Sequence, residues 1–434
     1  MPSKKNVPQS DLLSSVFNGA AIALVVQLLG IAVAYAMEVL LGRWMGATQY
    51  GAYDYVISIG TLLGFVACLG LSNSLLRFIP EYSVREDWGK LRGIVWGSWR
   101  YVFLSSILVT VVAIAVLIGW GKYSTKVAPS LLIGISAIPL WALVRHQREM
   151  ARGIKRMALA YFPSAMFPLL VIVGAFYYHQ NLSSNKAIAI AWLSLAFVVV
   201  FQLWLLKWRM PKQSSITKAI YVPREWFAVA LPLLFNDSAF VLLSHTDTIM
   251  TGTILGSFEV GIYSAAFKTA SGVSFILAGV NAIAAPMFAT LHTQGDYEGL
   301  QELTATVARW LFYPSLAFAL LLIIFADPVL GLFGSEFIAA RWSMTILILG
   351  QLVNVGAGSV GYLMQMTGHH KKCAYVVGCS ALLNVVLNSI LIPTLGIMGA
   401  AIATATTMAI WNIWLHRLVV KHLGVYPSII STFL

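Results

Sequence analysis

Four ionisable side chains, Glu38, Asp54, Asp247 and Lys268, fall within or at the edges of long apolar runs. A charge at the centre of a bilayer costs at least about 2.5 kcal/mol, so groups of this kind face a bundle interior or a watery cavity. Glu38 lies near the outer end of the first apolar segment, Asp54 just inside the second, Asp247 in the outer half of the seventh and Lys268 well inside the eighth. Three carboxylates and one ammonium at similar depth could bind a polar substrate, or could be ion pairs that only fix helix packing; the residue types allow both. Arg100, well inside the third segment, offers a planar fork of donors suited to phosphate or to a structural pair. Arg77, Arg148 and Arg309 sit nearer segment ends and are expected to snorkel to lipid headgroups.

A second constellation is made of amides, hydroxyls and one carboxylate. Pro232 cannot donate to the carbonyl of Ala228, which loosens the seventh segment just before Asn236 and Asp237. Free carbonyls beside a carboxylate suit a hard cation such as Na⁺. Asn384 and Asn388 are four apart and share a helical face, and Thr404 follows the small run Gly399, Ala400, Ala401. Each of these residues taken alone reads equally as inter-helix glue. Cys68, Cys373 and Cys379 have neither metal-site nor disulfide-framework spacing, and the chain carries no Walker motif, zinc spacing or nucleophile elbow. Redox chemistry and a self-contained ATP-driven pump are therefore not indicated.

The elements that position these residues follow from composition. Apolar residues make up 59% of the 434 residues and charged residues 10%, with a mean hydropathy of +0.81, which no soluble domain of this length could carry. The apolar runs are long enough for helices to cross about 30 Å of hydrocarbon. Twelve spans are expected, at 16–42, 50–79, 93–119, 127–144, 157–178, 187–206, 226–254, 260–288, 304–326, 340–366, 374–393 and 397–419. The stretch Leu41 to Tyr53 (LGRWMGATQYGAY) recurs as Thr251 to Tyr263 (TGTILGSFEVGIY), aligning Gly42, Gly46, Gly51 and Tyr53 with Gly252, Gly256, Gly261 and Tyr263 without a gap. Internal repeats of this kind build many secondary transporters. Six spans per copy bring both copies in from the same side, so the pseudo-two-fold axis is expected along the membrane normal. The organisation expected is a six-helix lobe at 1–206, an inter-lobe linker at 207–225 that includes Pro211 and Pro223, a second six-helix lobe at 226–420 and a tail at 421–434. Residues Lys4 to Ser15 could form a short interfacial helix, although a frayed terminus fits them better.

Most of the 28 Lys and Arg lie on the side shared with the N-terminus, against five on the other (Arg43, Lys122, Lys126, Lys186 and Arg341). By the positive-inside rule both termini are cytoplasmic, in a multi-pass cell-membrane protein. The net charge of +12 is mostly this asymmetry and does not argue for nucleic acid. The first apolar run is longer than a signal-peptide core and is read as retained. Short connections leave no room for a soluble catalytic domain, which weighs against a membrane-embedded glycan polymerase or ligase.

LGRWMGATQYGAYDY, LSNSLLRFIPEY, HTDTIMTGTILGSFEVGIYSAAFK and IPTLGIMGAAIAT together resemble the polysaccharide-exporter branch of the multidrug/oligosaccharidyl-lipid/polysaccharide (MOP) flippase superfamily, and the resemblance covers nearly the whole chain. It implies a non-enzymatic flippase with a V-shaped pair of helical lobes that alternate between inward-facing and outward-facing states. It would move a polyprenyl-pyrophosphate-linked oligosaccharide to the outer leaflet for surface polysaccharide biosynthesis, working beside membrane lipids and other assembly proteins. It implies that Lys268 engages the pyrophosphate; Arg100, Glu38, Asp54 and Asp247 join it as substrate-binding candidates on the reading of the charged residues themselves. It also implies, by likeness to the lipid II flippase, a Na⁺ site at Asp237, Asn384, Asn388, the Ala400 carbonyl and Thr404, with Na⁺ or H⁺ coupling and no bound cofactor. Asn388 stands where that flippase has an aspartate, and the two additional helices of that flippase have no counterpart here. The alternative within the superfamily is a cation-coupled exporter of organic cations.

Overall fold

A computed structural model describes residues 9–119, 128–209 and 217–429, and all regular structure within them is helical. In chain order the α-helices are α1 (Gln9–Ala67), α2 (Leu71–Val84), α3 (Trp88–Gly119), α4 (Ala128–Ser136), α5 (Ile138–Gly153), α6 (Met157–Tyr177), α7 (Ser184–Arg209) and α8 (Pro223–Ile254). These are followed by α9 (Ser257–Ser271), α10 (Phe275–Gln294), α11 (Tyr297–Ile324), α12 (Ala326–Gly331), α13 (Arg341–Gly356), α14 (Val360–Met366), α15 (His370–Leu395) and α16 (Ile397–Leu423). Lys122, Lys126, Lys212, the residues before Gln9 and the last five of the tail lie outside the described residues.

Among the described residues ten helices are long and apolar enough to cross a membrane, and the bent α8 makes an eleventh. One of the ten runs unbroken over 42 residues, Val26–Ala67, and at 1.5 Å per residue such a helix would span about 63 Å, twice the hydrocarbon thickness. It is two crossings joined at Gly46, whose φ of 71° and ψ of 167° are not helical. The sequence shows two spans here because Arg43 and three glycines interrupt the hydropathy; counted this way, the expected twelve crossings are present. Elsewhere the expected spans match helices with ends displaced by a few residues, and proline, which removes one helical hydrogen bond, is carried inside α2, α6, α8, α10, α11 and α15.

The chain packs as two compact units. The first comprises residues up to Met37, Leu63–His179 and Asn185–Leu234; the second comprises Glu38–Leu62, Gln180–Ser184 and Phe235–Leu434. In the first, α5 packs on α2, α3 and α6, and His146 of α5 is fully buried between the hydroxyls of Ser72 (3.3 Å) and Ser98 (3.2 Å). In the second, α16 packs on α13 and α15, and α9 on α13. The core of the second unit includes Phe288, Leu311, Val355, Met364, Val376 and Val419.

Candidate functional site

Both copies of the glycine repeat lie in the second unit, where they pack against each other. A Cβ on Gly51 would collide with the carbonyl oxygen of Ser257, and one on Gly261 with that of Ala47. Gly51 and Gly261 are equivalent in the repeat, as are Ala47 and Ser257, so the contact is reciprocal. Each copy enters its helix through an equivalent glycine of positive φ, Gly46 (71°) and Gly256 (112°), a conformation costly for any residue with a Cβ. Past Gly46, the Ala47 N–H donates to Glu336 (2.9 Å).

This close crossing sets the charged side chains face to face. Tyr50 and Asp54 are four apart on α1, and Ser264 and Lys268 four apart on α9, so each pair shares one helical face. The Lys268 ammonium donates to Glu38 Oε2 (2.8 Å), Asp54 Oδ1 (2.6 Å) and the Tyr50 hydroxyl oxygen (3.2 Å). Tyr50 donates to Glu38 (2.8 Å) and Ser264 to the second oxygen of Asp54 (2.6 Å). Asp54 and Ser264 are themselves equivalent repeat positions. Lys268 is therefore the counter-ion of two carboxylates, and a phosphate would have to compete with both for it. Its side chain retains 26% exposure.

Asp247 of α8 forms a separate cluster. It is 3% exposed and accepts from the Tyr263 hydroxyl (2.7 Å), Asn388 Nδ2 (2.7 Å) and the Thr404 hydroxyl. Asn388 also donates to Asn384 Oδ1 (3.0 Å), and Asn384 to Thr404 (3.4 Å). Every donor to this carboxylate is neutral, and among the described residues it has no ion-pair partner. The buried Asn388 Oδ1 accepts no hydrogen bond. A cleft of about 130 Å³ opens beside the cluster, with Asn384, Thr404, Thr407, Ser244, Phe267 and Trp411 on its walls.

The expected amide and hydroxyl set thus assembles around Asp247, rather than Asp237. At 1.5 Å per residue Asp237 lies about 15 Å earlier along α8, and the side chain of Asn236 is outside the described residues. Ala400 is fully buried in the first turn of α16. Sequence reading missed Tyr50, Ser264 and Tyr263, although the four-residue steps and the Tyr53–Tyr263 equivalence were signals for them. One carboxylate, two amides and one hydroxyl could offer a hard monovalent cation oxygen alone once the Asn384 and Asn388 amides, which here present Nδ2 to the cluster, turn their oxygens inward; among the described residues no cluster of three or more His, Cys, Asp or Glu could hold a metal.

Arg100 belongs to the first unit, whereas the residues of both clusters belong to the second. It lines a cleft of about 420 Å³ with Arg92, Trp96, Lys218, Ala219 and Tyr221. Arg77 pairs with Glu81 (3.6 Å), Arg148 with the buried Glu149 (3.1 Å), and Arg309 stays exposed at a backbone carbonyl.

The fold is that of known transporters. It superposes with a TM-score of 0.72 on an inward-facing multidrug resistance MATE family transporter of the MOP superfamily, at 15% identity over 93% of this chain and 99% of that one. With a MOP superfamily transporter from Pyrococcus furiosus, whose binding pocket is described as of reverse polarity, the TM-score is 0.64 at 15% identity, over 94% and 96%. The MatE family model matches residues 232–390. At 15% identity the likeness to these two structures shows the fold. Residues 16–292, more than half the chain, match the model described as Polysaccharide biosynthesis protein. The chain belongs to that polysaccharide biosynthesis family. Among its relatives, an uncharacterized membrane protein of Methanocaldococcus jannaschii is 22% identical over 90% of this chain and 82% of its own length. A "Probable low-salt glycan biosynthesis flippase" of Haloferax volcanii is 27% identical over 42% of this chain and 40% of its own. A "Probable multidrug resistance protein" of Pseudomonas syringae pv. tomato is 29% identical over 42% and 41%. The chain thus aligns with about two fifths of each of the last two.

Proposed function

We propose that this protein is a flippase that carries a polyprenyl-pyrophosphate-linked oligosaccharide from the cytoplasmic to the outer leaflet of the cell membrane by alternating access, with both termini cytoplasmic. The observation that supports this reading is the polar network inside its spans: two carboxylates and an ammonium in one cluster, a carboxylate with amides and hydroxyls in another, within a chain of the polysaccharide biosynthesis family. Sugar hydroxyls left unpaired in hydrocarbon cost several kcal/mol each, and a path lined by such groups offers them replacement partners. We propose no chemical step, and the six-helix lobes at 1–206 and 226–420 remain our division of the moving parts.

In this reading Asp247 is the coupling group. A buried carboxylate whose donors are all neutral is costly to keep ionised, so it takes up either a proton or a cation such as Na⁺, with Asn384, Asn388 and Thr404 as further oxygen donors. Asp247→Asn keeps the shape and removes the charge. It should fold normally, lower transport at least tenfold and abolish dependence on the ion gradient; unchanged gradient-driven transport would rule Asp247 out as the coupling group. The function itself is tested in proteoliposomes loaded with lipid-linked oligosaccharide, by the rate at which the glycan becomes accessible to an external endoglycosidase. A rate equal to that of protein-free vesicles would sink the proposal.

The second reading is a cation-coupled exporter of organic cations. It is favoured by the excess of one negative charge in the Lys268 cluster and by the multidrug relative. Ethidium efflux from the same vesicles without glycan movement would select it.

A further inference from the structure

The cleft around Arg100 is used by neither cluster. Arg92, Trp96 and Arg100 are spaced four apart and line one face of α3. The opposite wall is Lys218, Ala219 and Tyr221 from the segment between the two repeat copies. That segment is pinned to α3 by glycines: the Ile220 N–H donates to the Gly89 carbonyl (2.9 Å), and Arg92 Nη1 donates to the Thr217 carbonyl (2.8 Å). A Cβ on Gly93 would collide with the Ile220 carbonyl, and one on Gly97 with the Trp226 ring. Lys218 is thereby held beside a helix that already carries two guanidinium groups.

Three cations line one cleft, and Arg100 and Lys218 are exposed with no ion-pair partner among the described residues. Like charges on one helix face repel, so an anion in the cleft would stabilise the arrangement it enters. Trp96 and Tyr221 are 63% and 58% exposed, and these two rings suit the level where headgroup meets acyl chain. From Arg92 to Arg100 the strip descends about 12 Å along α3, deeper than a soluble ion needs and well suited to a phosphate group that has a lipid tail. The side is the one the basic residues assign to the cytoplasm.

We propose that this cleft is a binding site for a phosphate-bearing headgroup at the cytoplasmic face, separate from the Lys268 cluster. Resting on the flippase reading, it is where the pyrophosphate of the lipid-linked substrate is first captured, by a bidentate contact from Arg100 and a point charge from Lys218, with Arg92, whose Nη1 is engaged by the Thr217 carbonyl, adding to the positive field.

The test uses the full chain in nanodiscs of neutral phosphatidylcholine, with native mass spectrometry and thermophoresis as readouts. The probes are undecaprenyl pyrophosphate, phosphatidylglycerol and inorganic pyrophosphate. The parent should bind undecaprenyl pyrophosphate at least tenfold more tightly than inorganic pyrophosphate. Arg100→Gln/Lys218→Gln should weaken that binding at least tenfold with an unchanged melting temperature, Arg100→Lys should weaken it less, and Arg309→Gln, a cation outside the cleft, should leave it intact. Equal binding by parent and double variant for all three probes overturns the site. If phosphatidylglycerol binds and loses affinity in the double variant while the pyrophosphate lipid does not bind, the headgroup site stands and its role in substrate capture fails, the flippase reading being decided separately by the proteoliposome assay. Tightest binding by inorganic pyrophosphate overturns the lipid assignment.

Discussion

Lys268→Met is expected to cost the folded protein about 3–5 kcal/mol, the loss typical of removing one partner from a buried ion pair. The ammonium lies 2.8 Å from Glu38 and 2.6 Å from Asp54, and the Asp54 side chain is only 7% exposed. Without it the two carboxylates keep the Tyr50 and Ser264 donors and repel one another in a site of low dielectric. The purified variant should show an early tryptophan-fluorescence unfolding midpoint and an aggregated fraction on size exclusion. Neutralising all three positions, Glu38→Gln/Asp54→Asn/Lys268→Met, should recover most of the stability, because no unpaired charge remains. A single variant as stable as the parent would show that the carboxylates do not depend on the ammonium. If the triple variant is stable but transport-dead, the cluster serves the transport cycle in addition to holding α1 and α9 together.

The repeat and the charged residues in the spans were legible in the sequence because both leave marks in one dimension. A charge in an apolar run is conspicuous, and glycines at equal spacing align without a gap. Hydropathy therefore placed Glu38, Asp54, Asp247 and Lys268 at a common depth, and coordinates then divided them into two clusters. Which groups touch was less legible. Asp237 and Asp247 lie on the same helix, each with polar neighbours, and only the three-dimensional placement of α15 and α16 selects Asp247 as the partner of Asn388 and Thr404. Tyr263 was hidden because an aromatic residue in a membrane helix looks like packing until its hydroxyl is seen to reach a carboxylate. Arg100 was visible, yet its companion Lys218 is more than a hundred residues away in a connecting segment that sequence reads only as a linker.

Family membership leaves the substrate open, since flippase and multidrug relatives both align to this chain. The two clusters bear on that choice differently. Asp247 with its neutral donors suits a coupling ion under either reading. The Lys268 cluster has two carboxylates for one ammonium: an organic cation would be held by the excess negative charge and a sugar by hydroxyl donation to the same carboxylates. The distinction lies in whether transport follows the charge of the cluster or its acceptors.

Gly51→Val and Gly261→Val should each abolish recovery of folded protein. At both positions a new side chain meets backbone, the Ser257 carbonyl in one case and that of Ala47 in the other, so no rotamer change can relieve the clash. The helices would have to separate, pulling Ser264 from Asp54 and Lys268 from Glu38, so overpacking is compounded by loss of the charged cluster. Alanine at either site already supplies the clashing Cβ and should fail nearly as severely. Gly378→Ala is the control: a Cβ there meets nothing within 4 Å, and alanine in mid-helix is worth roughly 0.5–1 kcal/mol over glycine. Because the contact is reciprocal, the two repeat positions must behave alike. Monodisperse, parent-like protein from Gly51→Ala beside complete loss from Gly261→Ala would mean that the two copies do not meet at these glycines.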